Sequence, residues 1–131
     1  MKELILYYTP GNKVHTPLLR GVCAQMDIRI KNLTPERCVQ KTGYLAGIEG
    51  FEKREVSAGY EKYAPVMGEE LLVFCGFSDE RLDELLANLK KAGVPKIPLK
   101  AILTKTNAEW TIYQLYEQIR QEHAQMNGGH L

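Results

Sequence analysis

Two short apolar runs, Leu4–Tyr8 and Leu71–Phe74, each lead into a loop whose side chains can bind a ligand. The candidate ligand-binding residues in the two loops are Thr9, Gly11, Asn12, Lys13, His15, Cys75, Gly76 and Ser78. Free backbone N–H groups at the start of a helix, with a lysine beside them, can bind a phosphate or a carboxylate. If the loops lie side by side, we expect them to form one crevice for a small anionic ligand or a nucleotide.

Structural roles without any ligand can also explain the residues of these two loops. Pro10-Gly11 is typical of a turn that joins a strand to a helix without any ligand, and this turn is the favoured interpretation of the first loop. Cys75 precedes a helix, where a thiol can have a lowered pKa and become reactive. The carboxylates of Asp79 and Glu80 would oppose a thiolate at that point. The favoured interpretation of Cys75 is therefore a small buried apolar side chain.

The sequence shows no pattern typical of catalysis or of metal binding. His15 has no identifiable acid partner, so a nucleophile–histidine–acid arrangement is not indicated. Cys23, Cys38 and Cys75 are odd in number and lack the CxxC spacing of zinc sites. The sequence therefore favours a non-enzymatic binding or regulatory protein, and it identifies no catalytic residue, metal or cofactor. The alternative is a small-molecule binding protein or an enzyme that uses the crevice at the ends of the first and third strands.

The chain repeats one pattern of strand, helix, strand and helix. Residues 1–47 carry this pattern once, residues 71–126 carry it again, and residues 48–70 form a connecting loop rich in charge and glycine. The 131 residues are expected to form a single domain. A connection this long is usually functional or disordered, and disorder is the favoured interpretation. We expect residues 127–131 to fray.

Local signals predict where the helices begin. Thr16-Pro17 and Thr34-Pro35 each place a capping side chain before a proline, which suits the first turn of a helix. Ser78 is expected to cap the helix that follows the third strand. The run from Thr106 to Glu109 fits a capping box at the start of the last helix.

The strands predict an α/β fold with a four-stranded, mainly parallel sheet in the order 2-1-3-4 and helices on both faces. Leu4–Tyr8 and Leu71–Phe74 are apolar throughout, as in central strands that are covered on both faces. The other two strands contain charged residues, and Pro98 precedes the last one, which is typical of sheet edges. We expect the two halves to run in the same direction. The alternative is a ferredoxin-like α+β sheet with antiparallel partners.

Composition and charge limit the expected partners. A formal net charge of +1 provides no broad basic surface for nucleic acid. The apolar runs are too short for a membrane span, and Met1 leads directly into a strand, so we expect a cytoplasmic protein without a signal peptide. Trp110 and Tyr113 flank the apolar stripe of the last helix and are candidates for a homo-oligomer interface. Packing over the end of the sheet is the commoner role for such residues.

Several stretches of the second half resemble a known family. They are Cys75-Gly76-Phe77-Ser78, Leu82 to Leu86, Gly93 to Lys96 and Leu99 to Ala101, with a looser counterpart from Thr34 to Gly47. These stretches resemble small bacterial proteins of the domain-of-unknown-function family 3783. The resemblance implies a bacterial cytosolic protein. It implies no activity, because the family brings no assigned catalytic or binding residues.

Overall fold

The computed structural model describes residues 1–59 and 64–128. Within these ranges the strands are β1 (Leu4–Tyr8), β2 (Arg29–Asn32), β3 (Leu71–Cys75) and β4 (Leu99–Ile102). The helices are α1 (Thr16–Gln25), α2 (Pro35–Cys38), α3 (Thr42–Leu45), α4 (Asp79–Lys91) and α5 (Ile112–Gly128), with a 3₁₀ turn at Asn107–Glu109. Helix α5 continues past residue 126 into the predicted tail. Residues 60–63 of the predicted loop and 129–131 of the predicted tail lie outside the described residues.

The sheet has the predicted order, β2-β1-β3-β4. Strand β1 runs parallel to β2, and β3 runs parallel to β4, so the prediction of a mainly parallel sheet is confirmed. The two halves meet in the opposite way to the expectation, because β1 and β3 are antiparallel. Leu4 lies opposite Cys75, and Tyr8 lies opposite Leu71. The prediction that all four strands run in one direction is therefore wrong.

The apolar sequences of β1 and β3 do not distinguish a parallel from an antiparallel pairing of these two strands. An unbroken apolar strand indicates burial on both faces, and a central strand is buried on both faces whichever way its neighbour runs. The connection of residues 48–70 is long enough to return the chain to either end of a short strand. The ferredoxin-like alternative is not found, because helices pack on both faces of the sheet and not on one face only.

The alternation of side chains along each strand decides which helices cover them. Ile5 and Tyr7 of β1 pack with Leu72 and Phe74 of β3 beneath α1 and α4. The intervening side chains pack on the other face beneath α2, α3 and α5, and they are Leu4, Leu6, Leu71 and Val73. Both central strands are consequently enclosed between two layers of helices, and every residue of β3 is buried.

Reciprocal backbone hydrogen bonds join the two halves at the N-terminal ends of α3 and α5. The N–H of Thr42 donates to the carbonyl of Trp110 at 2.8 Å, and the N–H of Ile112 donates to the carbonyl of Gln40 at 3.3 Å. Thr42 and Ile112 are the first residues of their helices, and the N–H groups there have no partner within the helix. Each half thus supplies the missing acceptor for the other.

Two helix starts differ from the prediction. Helix α1 begins at Thr16, so His15 is its N-cap residue, and the side chain of His15 makes no capping hydrogen bond. The capping box forms at α5 and not at Thr106. There the N–H of Thr111 donates to the side chain of Gln114 at 2.9 Å, and the reverse bond measures 3.2 Å. Because the side chain of His15 makes no capping hydrogen bond, it is available for another contact.

All three thiols are expected to be unreactive in the folded protein. Cys23, Cys38 and Cys75 are buried, and burial raises the pKa of Cys23 to about 11 and those of Cys38 and Cys75 to about 12. Because the thiolate is the reactive form, Ellman's reagent at pH 8 should modify these residues only after unfolding in guanidinium chloride. Rapid modification of the native protein would contradict the burial.

The raised pKa values of the three thiols predict that the folded protein becomes less stable at high pH. The folded thiols hold their protons above pH 9, the ordinary thiol value, whereas the unfolded thiols lose theirs. Their contribution to the free energy of unfolding is complete below pH 9 and is lost as the pH rises through the folded values. Unfolding experiments between pH 8 and pH 11 should show this decline.

Candidate functional site

The predicted crevice does not form, because the two loops expected to line it lie at opposite ends of the sheet. The end of β1 adjoins the start of β3, and the end of β3 adjoins the start of β1. The residues at the β1 end are Thr9, Gly11, Asn12, Lys13 and His15, and those at the β3 end are Cys75, Gly76 and Ser78. A strand of 5 residues separates the two groups, which is a distance of about 17 Å. One small ligand cannot contact both groups.

The three candidates at the β3 end make contacts that stabilise the fold. Cys75 is fully buried, in agreement with a small apolar role. Ser78 caps α4 as predicted, because its hydroxyl accepts the N–H of Arg81 at 3.2 Å. Gly76 has a φ of +78°, and a Cβ there would lie 3.0 Å from the carbonyl oxygen of Lys2. Each of these residues therefore has a structural reason for its type.

At the β1 end the structure assembles a polar cluster. The hydroxyl of Tyr7 donates to Oε2 of Glu70 at 2.5 Å. Nε2 of His15 lies 2.8 Å and 2.9 Å from the two oxygens of the same carboxylate. The hydroxyl of Thr16 lies 3.0 Å from that of Tyr7. His15 thus has an acid partner, Glu70, which the sequence analysis missed because 55 residues separate the two.

Three elements bring this Tyr7–Glu70 cluster together. Alternation along β1 directs Tyr7 to the face that α1 covers. Glu70 directly precedes β3 and lies two residues before Leu72, so it projects to the same face. His15 precedes the first turn of α1. A glutamate directly before an entirely apolar strand is the sequence signal that points to Glu70, because its neighbours bury that position.

The burial of the cluster indicates a structural role. Tyr7 is 1% exposed and Glu70 is 8% exposed. Burial raises the pKa of Tyr7, and the hydrogen bond to Glu70 raises it further, so the phenol remains a hydrogen-bond donor at neutral pH. The guanidinium of Arg20 lies over the Tyr7 ring, 5.8 Å from its centre. With Tyr7 and Glu70 enclosed, the geometry favours a contact that holds α1 and β3 to β1.

The rest of the loop after β1 forms a turn between β1 and α1, which is the ligand-free interpretation of Pro10-Gly11. The hydroxyl of Thr9 donates to the carbonyl of Gly11 at 2.7 Å, which closes the turn. Gly11, Asn12 and Lys13 are exposed. Binding of an anion by these exposed residues stays a prediction.

The β3 end contains a counterpart of the Tyr7–Glu70 cluster. Glu3 directly precedes β1 and accepts hydrogen bonds of 2.7 Å and 2.8 Å from the guanidinium of Arg81 in α4. In both pairs, a glutamate directly before one central strand contacts a basic residue near the start of the helix that follows the other central strand. The repetition supports a structural role for both pairs.

A cavity lies between α4 and β4, at one edge of the sheet. Its volume is about 530 Å³, and it is lined by Leu72, Leu86, Leu89, Lys90, Val94, Pro95, Lys96, Ile97 and Lys100. Desolvation lowers the pKa of Lys100, and the nearby charge of Lys96 lowers it further. Within the described part of the chain, no carboxylate forms an ion pair with Lys90, Lys96 or Lys100. This α4–β4 cavity is therefore apolar in its walls and positive in its charge.

The segment from Glu70 through most of α5 holds this whole cavity. Residues 70–126 match the family model DUF3783, a domain of unknown function. The match confirms the resemblance. Glu70 and every lining residue of the α4–β4 cavity lie within the matched residues, which we call the DUF3783 segment. No curated protein and no solved structure matches the chain. The family description assigns no activity.

The DUF3783 segment also contains the two residues proposed for an interface. Trp110 and Tyr113 are partly buried and pack against the core on the α5 face of the sheet. The carbonyl of Trp110 accepts the hydroxyl of Thr42 at 2.8 Å. The commoner role, packing within the chain, is therefore present, and a contact with a second copy stays a prediction.

In the described residues, no helix has the length and apolar character needed to cross a membrane.

Gly76→Ala is expected to destabilise the protein more than Gly11→Ala. At Gly76 the positive φ and the carbonyl oxygen of Lys2 both oppose a Cβ. A left-handed conformation costs a residue other than glycine about 1–2 kcal/mol. Gly11 is the matched control, because a Cβ added there meets no atom within 4 Å. Equilibrium unfolding in urea compares the two, and equal losses would show that Gly76 is not constrained.

Within the DUF3783 segment, Glu70→Ala should lower the free energy of unfolding by about 1–3 kcal/mol, because it removes the carboxylate that accepts the hydrogen bond of the buried Tyr7 hydroxyl. The control is Glu69→Ala, an exposed neighbour, which should change the value by less than about 0.5 kcal/mol. Chemical unfolding at pH 7, followed by circular dichroism, measures both. If the two variants lose the same small amount, the Tyr7–Glu70 cluster contributes no stability.

Proposed function

We propose that the protein is a non-enzymatic binding module, and that it binds a small anionic ligand with an apolar body in the α4–β4 cavity. The observation that carries the proposal is Lys100. Its ammonium group is partly buried among apolar side chains, and no carboxylate pairs with it in the described ranges of the chain.

A partly desolvated cation without a partner favours the binding of an anion. Removing a charge from water is unfavourable unless an opposite charge or hydrogen bonds replace the lost hydration. Lys96 adds a repulsion to Lys100, and the exposed Lys90 contributes a third positive charge. A carboxylate, sulfonate or phosphate group near Lys100 would offset this repulsion and supply hydrogen-bond acceptors.

The apolar part of the lining decides the rest of the ligand. Leu72, Leu89 and Ile97 are buried side chains, and burial of apolar surface against them contributes roughly 25 cal/mol per Å². The volume of about 530 Å³ lies within the range of roughly 300–1,000 Å³ that is usual for small-molecule sites. A ligand with a hydrocarbon or aromatic body and one anionic group therefore fits these walls better than a sugar does.

The lining favours binding over catalysis. Its side chains are apolar or lysine, whereas a catalytic hydroxyl, thiol, imidazole or carboxylate must reach the reacting atoms directly. Groups of that kind are present in Tyr7, His15 and Glu70. These three residues belong to the Tyr7–Glu70 cluster, however, and they do not line the cavity.

Two fluorescent probes test the proposal. The first, 8-anilinonaphthalene-1-sulfonate, combines an aromatic body with one negative charge, and N-phenyl-1-naphthylamine is its uncharged analogue. We expect Lys100→Met to weaken binding of the sulfonate by about tenfold or more, because the loss of one charged contact is worth at least ~1.4 kcal/mol. Binding of the neutral probe should be unchanged. Lys105→Met, at an exposed lysine outside the lining, is the matched control.

The same titration has a pH signature. Because the pKa of Lys100 lies below 10.5, its ordinary value, the affinity for the sulfonate should fall as the pH rises toward that value. The affinity for the neutral probe should not follow. Decanoate, which also has one charge and an apolar body, should displace the sulfonate. The location of the site would be contradicted if Lys100→Met and Lys105→Met had the same effect.

A further inference from the structure

A second cavity lies at the opposite edge of the sheet, beside β2 and α2. Its volume is about 320 Å³, and it is lined by Lys31, Glu36, Arg37, Gln40, Tyr44, Leu45 and Lys53. Three of these side chains are cations and one is a carboxylate. Most of the remaining lining is polar. This β2 cavity therefore differs in character from the α4–β4 cavity, and the two share no lining residue.

A buried amide builds one wall of the β2 cavity. Gln40 is 2% exposed. Its Nε2 donates to the carbonyl of Arg54 at 2.9 Å, and its Oε1 accepts the N–H of Arg54 at 2.7 Å. This two-point contact holds the segment that carries Lys53 against the link between α2 and α3. The three cations thus come from three separate segments that tertiary structure brings together.

The cations of the β2 cavity are positioned but not neutralised. Nζ of Lys31 donates to the carbonyl of Leu45 at 2.8 Å, and Nη1 of Arg37 donates to the carbonyl of Asn32 at 2.7 Å. An ammonium group has three donors and a guanidinium group has five, so both retain donors for a ligand. Within the described parts of the chain, Lys31, Arg37 and Lys53 take part in no ion pair.

The environment of Lys31 shows the effect of this clustering. Desolvation lowers the pKa of Lys31, and the charges of Arg37 and Arg29 lower it further. The carboxylate of Glu36 offsets one of the three positive charges that line the cavity. An excess of two positive charges remains, which an anion with two negative charges would match.

We propose that the β2 cavity binds a phosphate group. A guanidinium presents parallel donors that suit two phosphate oxygens, and lysines add compact positive charges around it. The polar lining offers little surface to a hydrocarbon, so the phosphate is either free or carried by a hydrophilic molecule. The proposal stands independently of the ligand of the α4–β4 cavity.

Calorimetric titration at low ionic strength tests this site. Inorganic phosphate and ribose 5-phosphate are the probes, and ribose is the control without a phosphate group. We expect the two phosphates to bind and ribose not to bind, with affinity falling as salt is added. Tighter binding of ribose 5-phosphate than of inorganic phosphate would assign the site to a phosphate ester, and equal binding would assign it to free phosphate.

Lys53→Met is the decisive variant, because Lys53 is exposed and its removal leaves the Gln40 contacts in place. We expect a loss of affinity for both phosphates of about tenfold or more, with an unchanged unfolding midpoint. Lys105→Met, which lies outside the lining, should leave binding unchanged. The proposal is overturned if neither phosphate binds, or if Lys53→Met and Lys105→Met bind equally well. Sulfonate binding in the α4–β4 cavity should be unaffected by Lys53→Met, which separates the two sites.

Discussion

The antiparallel pairing of β1 with β3 is the contact on which the rest of this fold depends. It places Leu6 opposite Val73 at the centre of the sheet and joins two parallel βαβ units side by side. Because the units point in opposite directions, the loops that follow β1 and β3 emerge at opposite ends. Each end then combines a loop from one half with the chain that enters the central strand of the other half.

Two glutamates occupy those entry points, and each secures a helix start. Glu70 holds Tyr7 and His15, and Glu3 holds Arg81. A shift of one residue in the register of β1 would move Tyr7 to the other face of the sheet and away from Glu70. The buried polar contacts therefore specify register as well as contributing stability, while the apolar side chains between them supply most of the burial.

The same pairing leaves β2 and β4 at the edges of the sheet, and both cavities lie there. Charged side chains on edge strands discourage pairing with other chains. In this protein the edge strands carry Lys31 and Lys100, and neither has a carboxylate partner within the described residues. Helices cover the central strands more fully than the edges, so these lysines are only partly enclosed. Unneutralised cations beside a cavity are the feature that makes each edge a candidate site for an anion.

Residue patterns alone were sufficient for the strand order, the two helical layers and the burial of Cys75. Those properties follow from hydrophobicity and charge along single segments, such as the apolar run of β3 and the charges of β2. The direction of β3 relative to β1 and the pairing of His15 with Glu70 depend on the path of the chain between residues 48 and 70. An apolar strand has the same pattern in either direction. The position of Glu70 before an apolar strand indicates its burial, but it does not indicate that His15, 55 residues away, is its partner. The lysines of the α4–β4 cavity lie close together in the chain, in the stretch from α4 to β4. The β2 cavity combines Lys31, Arg37 and Lys53 from three separate segments, so only the tertiary structure brings those cations together.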